Sequence, residues 1–223
     1  MARPVRFVFD YISPYAYLAW TQLPALAARC GRAVEPVPVL FAGLLQALDT
    51  RGPAEVAPKR AYLYKHTLRL AHGLGVPFAP PPAHPFNPLL ALRVTAALPA
   101  DARAPVVDAL FRAVWAGGGG VEGEARVEAL LRGAGCDAAL LLAAAQTPGV
   151  KARVREATDE ALRAGAFGVP TFLADGELFF GVDSLGHLEA FLRGEDVLRA
   201  EDLARWRELR PSAVRPGSAA GGG

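Results

Sequence analysis

Cysteine is almost missing from this chain: its 223 residues contain two, Cys30 and Cys136. They are too far apart in sequence to form a CxxC pair and do not resemble a zinc-ligand spacing, which excludes exchange chemistry at a local dithiol and a zinc site of recognisable pattern. Two buried, reduced thiols are the expected state of the pair. Long apolar runs are missing too. The most apolar helical stretch, 138–145, falls well short of the roughly 20 residues a helix needs to cross a bilayer, and other runs are broken by charge, glycine or proline. No membrane role is expected. Nor is there an excess of one charge: 24 Lys and Arg against 22 Asp and Glu leave a formal +2, and the arginines do not gather into a stripe. Nucleic acid is therefore not expected as a ligand. The opening MARPVRFVFDY runs directly into a strand-like pattern without an apolar segment and cleavage site, so a cytoplasmic protein is expected.

Core-forming material is abundant, at 52% hydrophobic residues, enough for one sizeable domain or a core with a substantial insertion. Residues 5–9 alternate and are rich in β-branched and aromatic side chains, predicting a strand that turns at Asp10 and Tyr11. Ser13 suits a helix N-cap and Pro14 the first helical position, and an apolar face then predicts a helix ending near Gly31, kinked at Pro24. A second strand over 34–40 carries Pro36 and Pro38, which remove amide donors and place it at a sheet edge.

From residue 42 to about 162 the periodicity turns helical, with helices predicted over 54–74, 88–97, 104–115, 125–131, 138–145 and 150–162. Residues 80–87, with four prolines and His84, interrupt the series as a stiff loop suited to a pocket wall; the glycines of 117–120 form a flexible connection. Residues 169–173 then read as a strand, Asp175-Gly176 as a hairpin turn into 178–180, and a final helix begins near Asp183 or Ser184. A short helix over 201–209 precedes a Pro-, Ala-, Ser- and Gly-rich tail. This order predicts an α/β fold, a thioredoxin-like core with an inserted all-helical domain: core residues 1–41 and 164–209, insertion 42–163, disordered tail 210–223.

Chemistry is expected at Ser13, where a strand delivers the chain to a helix start and free backbone N–H groups favour negative charge. A thiolate carried by a small molecule would be stabilised there with one further hydrogen bond from the hydroxyl, although Ser-Pro is also an ordinary cap. Pro170, at the start of a strand, either marks an edge or takes the cis form that exposes the backbone of Val169 to a ligand.

Five segments taken together carry a resemblance: Asp10 through Ala19; Lys59-Arg60, Tyr62 and Arg69 ahead of Leu74-Gly75-Val76-Pro77-Phe78; Pro85-Phe86-Asn87-Pro88; Gly168-Val169-Pro170-Thr171-Phe172; and Phe180-Gly181-Val182-Asp183. In order and spacing, over 5–192, the chain resembles the 2-hydroxychromene-2-carboxylate isomerase family, related to kappa-class glutathione transferases and DsbA oxidoreductases. The resemblance implies a cytoplasmic, usually dimeric enzyme that binds glutathione. It places Ser13 beside the glutathione sulfur, Pro170 as the cis-proline, Val169 as backbone partner of the tripeptide, and Asp183 with Ser184 at its γ-glutamyl end.

The implied reaction interconverts 2-hydroxychromene-2-carboxylate and trans-o-hydroxybenzylidenepyruvate by reversible thiolate addition, without net redox change. Lys59 and Asn87 are the accompanying catalytic candidates, Tyr15, Lys59, Tyr62, His66 and Asn87 the substrate-facing ones, and Arg69 a further polar candidate. Helical spacing puts Lys59, Tyr62 and His66 roughly on one face. Lys59 is equally readable as a solvated surface charge and Asn87 as a helix cap. Three positions depart from the family pattern: His66 where an acidic residue is expected, Phe180 for a tryptophan and Ser184 for an arginine. A kappa-like glutathione transferase or peroxidase is the alternative function, and a non-catalytic glutathione-binding protein the plainest one.

Overall fold

The first strand, β1 (Val5–Phe9), is buried at all but one position, because it lies inside a four-stranded sheet. The computed structural model describes residues 2–210 together with Ser212 and Ala213, so most of the expected tail over 210–223 lies outside the described residues. Strand β2 (Val34–Pro38) pairs parallel to β1 and forms one edge, with Pro36 opposite Phe7 and Pro38 opposite Phe9. An edge tolerates prolines because one side of the strand needs no donors. On the other side of β1, β3 (Thr171–Ala174) runs antiparallel and pairs in turn with β4 (Glu177–Phe180), giving the order β2-β1-β3-β4. Asp175 and Gly176 close that hairpin at φ 50° and 94°, as a tight two-residue turn requires. Arg32 clamps Asp175 from outside with two 2.8 Å bonds.

One expected helix is two. Instead of kinking, the chain forms α1 (Pro14–Trp20), turns, and starts again as α2 (Leu23–Arg29). Pro24 has no N–H for the carbonyl four residues back and its ring would collide with it, so it occupies the first turn of a new helix. Helix α3 (Phe41–Ala47) was not among the expected elements. A 3-10 turn at Pro53–Glu55 then takes the place of the first residues expected in α4 (Ala57–Leu74). Helices α5 (Leu89–Ala97), α6 (Ala104–Trp115), α7 (Glu124–Gly133), α8 (Ala138–Gln146) and α9 (Pro148–Arg163) follow close to their expected bounds. After the sheet is completed come α10 (Leu185–Leu192) and α11 (Ala200–Arg207). The fold is a thioredoxin-like mixed sheet with flanking and inserted helices. No helix among the described residues is long and apolar enough to cross a membrane.

Sheet and helices share one interior. Phe7 stacks on Phe9 at 5.1 Å, Phe9 meets Phe111 of α6 at 5.3 Å, and Tyr11 lies edge-on to Phe111 at 4.8 Å. Polar contacts lock the same seam: Trp115 Nε1 donates to the Tyr11 carbonyl at 2.8 Å, and the Tyr11 hydroxyl meets Thr95 Oγ1 at 2.7 Å. Thr95 spends its own proton on the Ala91 carbonyl, so Tyr11 is the donor to Thr95. The turn after β1 is thus held by α5 and α6. Cys30 and Cys136 are free, and half-buried rather than buried.

Candidate active site

The turn from Asp10 to Ser13 is built around a carboxyl group. Asp10 is buried; its Oδ1 accepts from the Ile12 amide at 3.1 Å and its Oδ2 from the Phe41 amide at 3.0 Å, tying the turn to the start of α3. Burial disfavours the charged form and pushes the carboxyl up to about 7, against the pull of those two N–H groups. Ser13 is also buried; its Oγ caps α1 by accepting from the Ala16 amide at 3.2 Å and donates to the Val169 carbonyl at 3.3 Å. The Tyr15 amide in the same first turn has no partner among the described residues.

Val169-Pro170 is a cis peptide, so the cis form of Pro170 allowed by the sequence is the one present. The loop is tied down on both sides of it, Thr171 Oγ1 donating to the Gly168 carbonyl at 2.8 Å and the Gly181 amide to the Pro170 carbonyl at 3.0 Å. The Val169 amide itself has no partner among the described residues. A Cβ at Gly168 would lie 2.8 Å from Cε2 of Phe180, whose partly exposed ring packs on Phe167 at 4.4 Å, so a larger residue has to push that ring aside.

These two segments border a cavity of about 890 Å³. The proline-rich loop forms a wall of it, as its stiffness suggests, contributing His84, Pro85, Phe86 and Pro88. His84 Nε2 lies 2.9 Å from the Ile12 carbonyl, and a carbonyl can only accept, so Nε2 carries the proton and Nδ1 accepts from Tyr64 Oη at 3.0 Å. Burial pushes the His84 pKa down, which keeps this neutral tautomer in place. On another wall Tyr15 Oη and His66 Nδ1 are 2.8 Å apart, with the Tyr62 ring stacked on His66 at 5.4 Å. Burial, helped by Tyr62 and the Asp183 carboxylate, pushes the Tyr15 hydroxyl up, so it keeps its proton.

The structure therefore brings Ser13, Tyr15, Tyr62 and His66 together with Val169, Pro170 and Asp183 around one cavity. It does not bring Lys59, Arg69, Asn87 or Ser184 to the wall. Lys59 sits in the exposed first turn of α4, so of the three residues expected on one pocket face only Tyr62 and His66 line it. Asn87 spends its side-chain oxygen on the Leu89 amide at 3.0 Å, capping α5. Ser184 Oγ donates to the Gly181 carbonyl at 2.8 Å within the 3-10 turn Val182–Ser184, and α10 begins only at Leu185. Sequence reasoning missed Asp10, Phe41 and Arg51 as cavity residues. A carboxylate closing a strand of buried alternation is a usable signal for Asp10; Arg51 follows a helix that the pattern did not reveal.

Residues 4–193 match the model of the DSBA-like thioredoxin domain. The 2-hydroxychromene-2-carboxylate isomerase of Sphingobium xenophagum is 31% identical over 198 residues, 86% of this chain and 99% of that protein. Glutathione S-transferase kappa 2 of Caenorhabditis elegans is 27% identical over 204 residues, 84% of this chain and 91% of that one. A solved structure of 2-hydroxychromene-2-carboxylate isomerase superposes with a TM-score of 0.79 at 26% identity, covering 85% of this chain and 94% of that one.

Proposed function

Because the chain belongs to the DSBA-like thioredoxin domain family and is homologous to 2-hydroxychromene-2-carboxylate isomerases, we propose that it is a glutathione-dependent cis-trans isomerase of conjugated aromatic 2-oxo acids. The observation that carries this reading is the placement of the Ser13 hydroxyl beside cis-Pro170 and the Val169 carbonyl, on the wall of a large cavity. Neither cysteine lies on that wall, so a sulfur nucleophile has to arrive with a ligand.

The residues present fit glutathione. An extended peptide needs a donor and an acceptor from one backbone residue, and Val169 offers an unpartnered amide and a carbonyl held only by the long contact to Ser13. Asp183, exposed at the cavity edge, is placed to accept from an ammonium group. Glutathione held there would supply a thiolate capable of reversible addition to a conjugated double bond. The Ser13 hydroxyl, released from its long bond to Val169, and the unpartnered Tyr15 amide would be the two donors favouring that anion. Tyr15 keeps its proton and donates it to substrate oxygen, as negative charge gathers there, when His66 carries its own proton on Nδ1 and gives it to the Tyr15 oxygen. Phe41, Leu63 and Phe86 give an apolar surface for the aromatic body and exclude water.

The test is to mix purified protein, glutathione and 2-hydroxychromene-2-carboxylate and follow the ultraviolet spectrum. The reading predicts a reversible approach to equilibrium, faster than with glutathione alone and with glutathione returned intact. Accumulation of a conjugate or of oxidised glutathione would assign the site to transferase or peroxidase chemistry instead. No acceleration would remove the isomerase assignment.

A further inference from the structure

Among the described residues Arg51 is the only Lys or Arg on the wall of the cavity; the other charged or titratable side chains there include three carboxyl groups, Asp10, Glu55 and Asp183, and the imidazoles of His66 and His84. A substrate acid entering this space needs a cation, and those proposed from sequence, Lys59 and Arg69, do not reach it. The loop between α3 and the 3-10 turn presents the arginine. The Thr50 amide donates to the Leu45 carbonyl at 3.0 Å, and the Gly52 amide to Glu55 Oε2 at 2.6 Å, which gives the Glu55 carboxylate a partner of its own. Arg51 Nη2 donates to the Glu55 main-chain carbonyl at 2.9 Å. That bond fixes one arm of the guanidinium and leaves its other donors unspent. Arg51 makes no ion pair among the described residues. Gly52 keeps the loop close to the apolar wall: a Cβ there would lie 3.2 Å from Leu45 and 3.5 Å from Phe41.

We propose that Arg51 is the specificity-determining residue that binds the carboxylate of the substrate, so that the site selects conjugated aromatic acids over their neutral counterparts. A planar guanidinium with one edge anchored and the rest open matches a carboxylate in two-point contact, which a mobile lysine ammonium does not. Phe41 and Leu45 lie on the same wall and receive the ring system while the charge is held at the loop. This inference rests on the function proposed above for the cavity.

The experiment measures equilibrium binding of an aromatic 2-oxo acid, benzylidenepyruvate, and of its methyl ester, by fluorescence titration without glutathione, to the wild type, Arg51→Gln and Arg51→Lys. Glutathione affinity is measured separately by calorimetry. Arg51→Gln is expected to weaken binding of the acid by about ten- to a hundredfold, with ester and glutathione binding unchanged and a partial recovery in Arg51→Lys. In turnover the loss appears in KM and not in kcat. An unchanged preference for acid over ester in Arg51→Gln overturns the assignment, as does full activity of Arg51→Lys with no loss of acid binding. Failure of the wild type to bind glutathione strikes the functional reading, while the glutathione-free titration still decides for or against Arg51.

Discussion

The Ser13 hydroxyl donates to the carbonyl oxygen of Val169 across 3.3 Å, joining two segments 156 residues apart in the chain. The sheet order explains the meeting: β1 and β3 are neighbours, so the turn leaving one and the loop entering the other emerge side by side. At that length the bond is weak and the hydroxyl can turn elsewhere at small cost. The same oxygen caps α1, so its removal also costs stability. Ser13→Ala is expected to unfold with about 1 kcal/mol less free energy in denaturant titration while keeping its secondary structure by circular dichroism. An unfolded variant would show that the residue is chiefly structural.

Gly168 sets the depth of the loop beside Ser13. An added Cβ would meet the Phe180 ring at 2.8 Å, and that ring is backed by Phe167. Gly168→Ala should therefore turn the partly exposed Phe180 ring away from its place against the loop, with a stability loss of about 1 kcal/mol and weaker glutathione binding by calorimetry. Gly168→Ala with Phe180→Ala should recover binding. Unaltered affinity in the single variant would show that the ring yields without consequence.

Thr95 is the acceptor that lets Tyr11 be buried. With its proton given to the Ala91 carbonyl, Thr95 leaves one role for the Tyr11 hydroxyl, and Thr95→Val would strand that buried donor at a cost of about 1–3 kcal/mol. Adding Tyr11→Phe should restore part of the loss, since both polar partners are then gone. A double-mutant cycle on thermal unfolding checks this, and purely additive losses would contradict it.

Asp10 gives the protein a pH signature. Its carboxyl is raised from 3.8 to about 7 by burial, so between these values the folded state binds more protons than the unfolded one. Its contribution to stability is complete below about pH 4 and is lost as pH rises through about 7. Asp10→Asn cannot titrate. Unfolding free energy of the wild type relative to this variant should fall across the window by an amount on the order of 4 kcal/mol. A constant difference between the two proteins would show that Asp10 is ionised throughout.

Elements whose cause is local were legible in the sequence. Pro36 and Pro38 put β2 at the edge, Asp175-Gly176 made the hairpin, and α6 matches its expected bounds because its apolar spacing is regular. Ser13, Val169 and Pro170 were legible as a group through the resemblance, and the structure brings them together. What failed to show depends on distance in space. Nothing in α4 says which turn overhangs the cavity, so Lys59 and His66 read alike although one is in water and the other on the wall. Asn87 satisfies two readings until the Leu89 amide is seen to claim it. Arg51 became visible only when α3 and the loop after it were placed against the cavity.

The most direct measurement of the central claim is an ultraviolet thiolate titration of glutathione bound to the wild type and to Ser13→Ala. Bound glutathione should ionise at lower pH than the free tripeptide, and removal of the Ser13 hydroxyl should move the midpoint up by roughly one to two pH units, the equivalent of a lost hydrogen bond to a charged group. The same midpoint in both proteins, or no binding of the tripeptide at saturating concentration, would contradict the account.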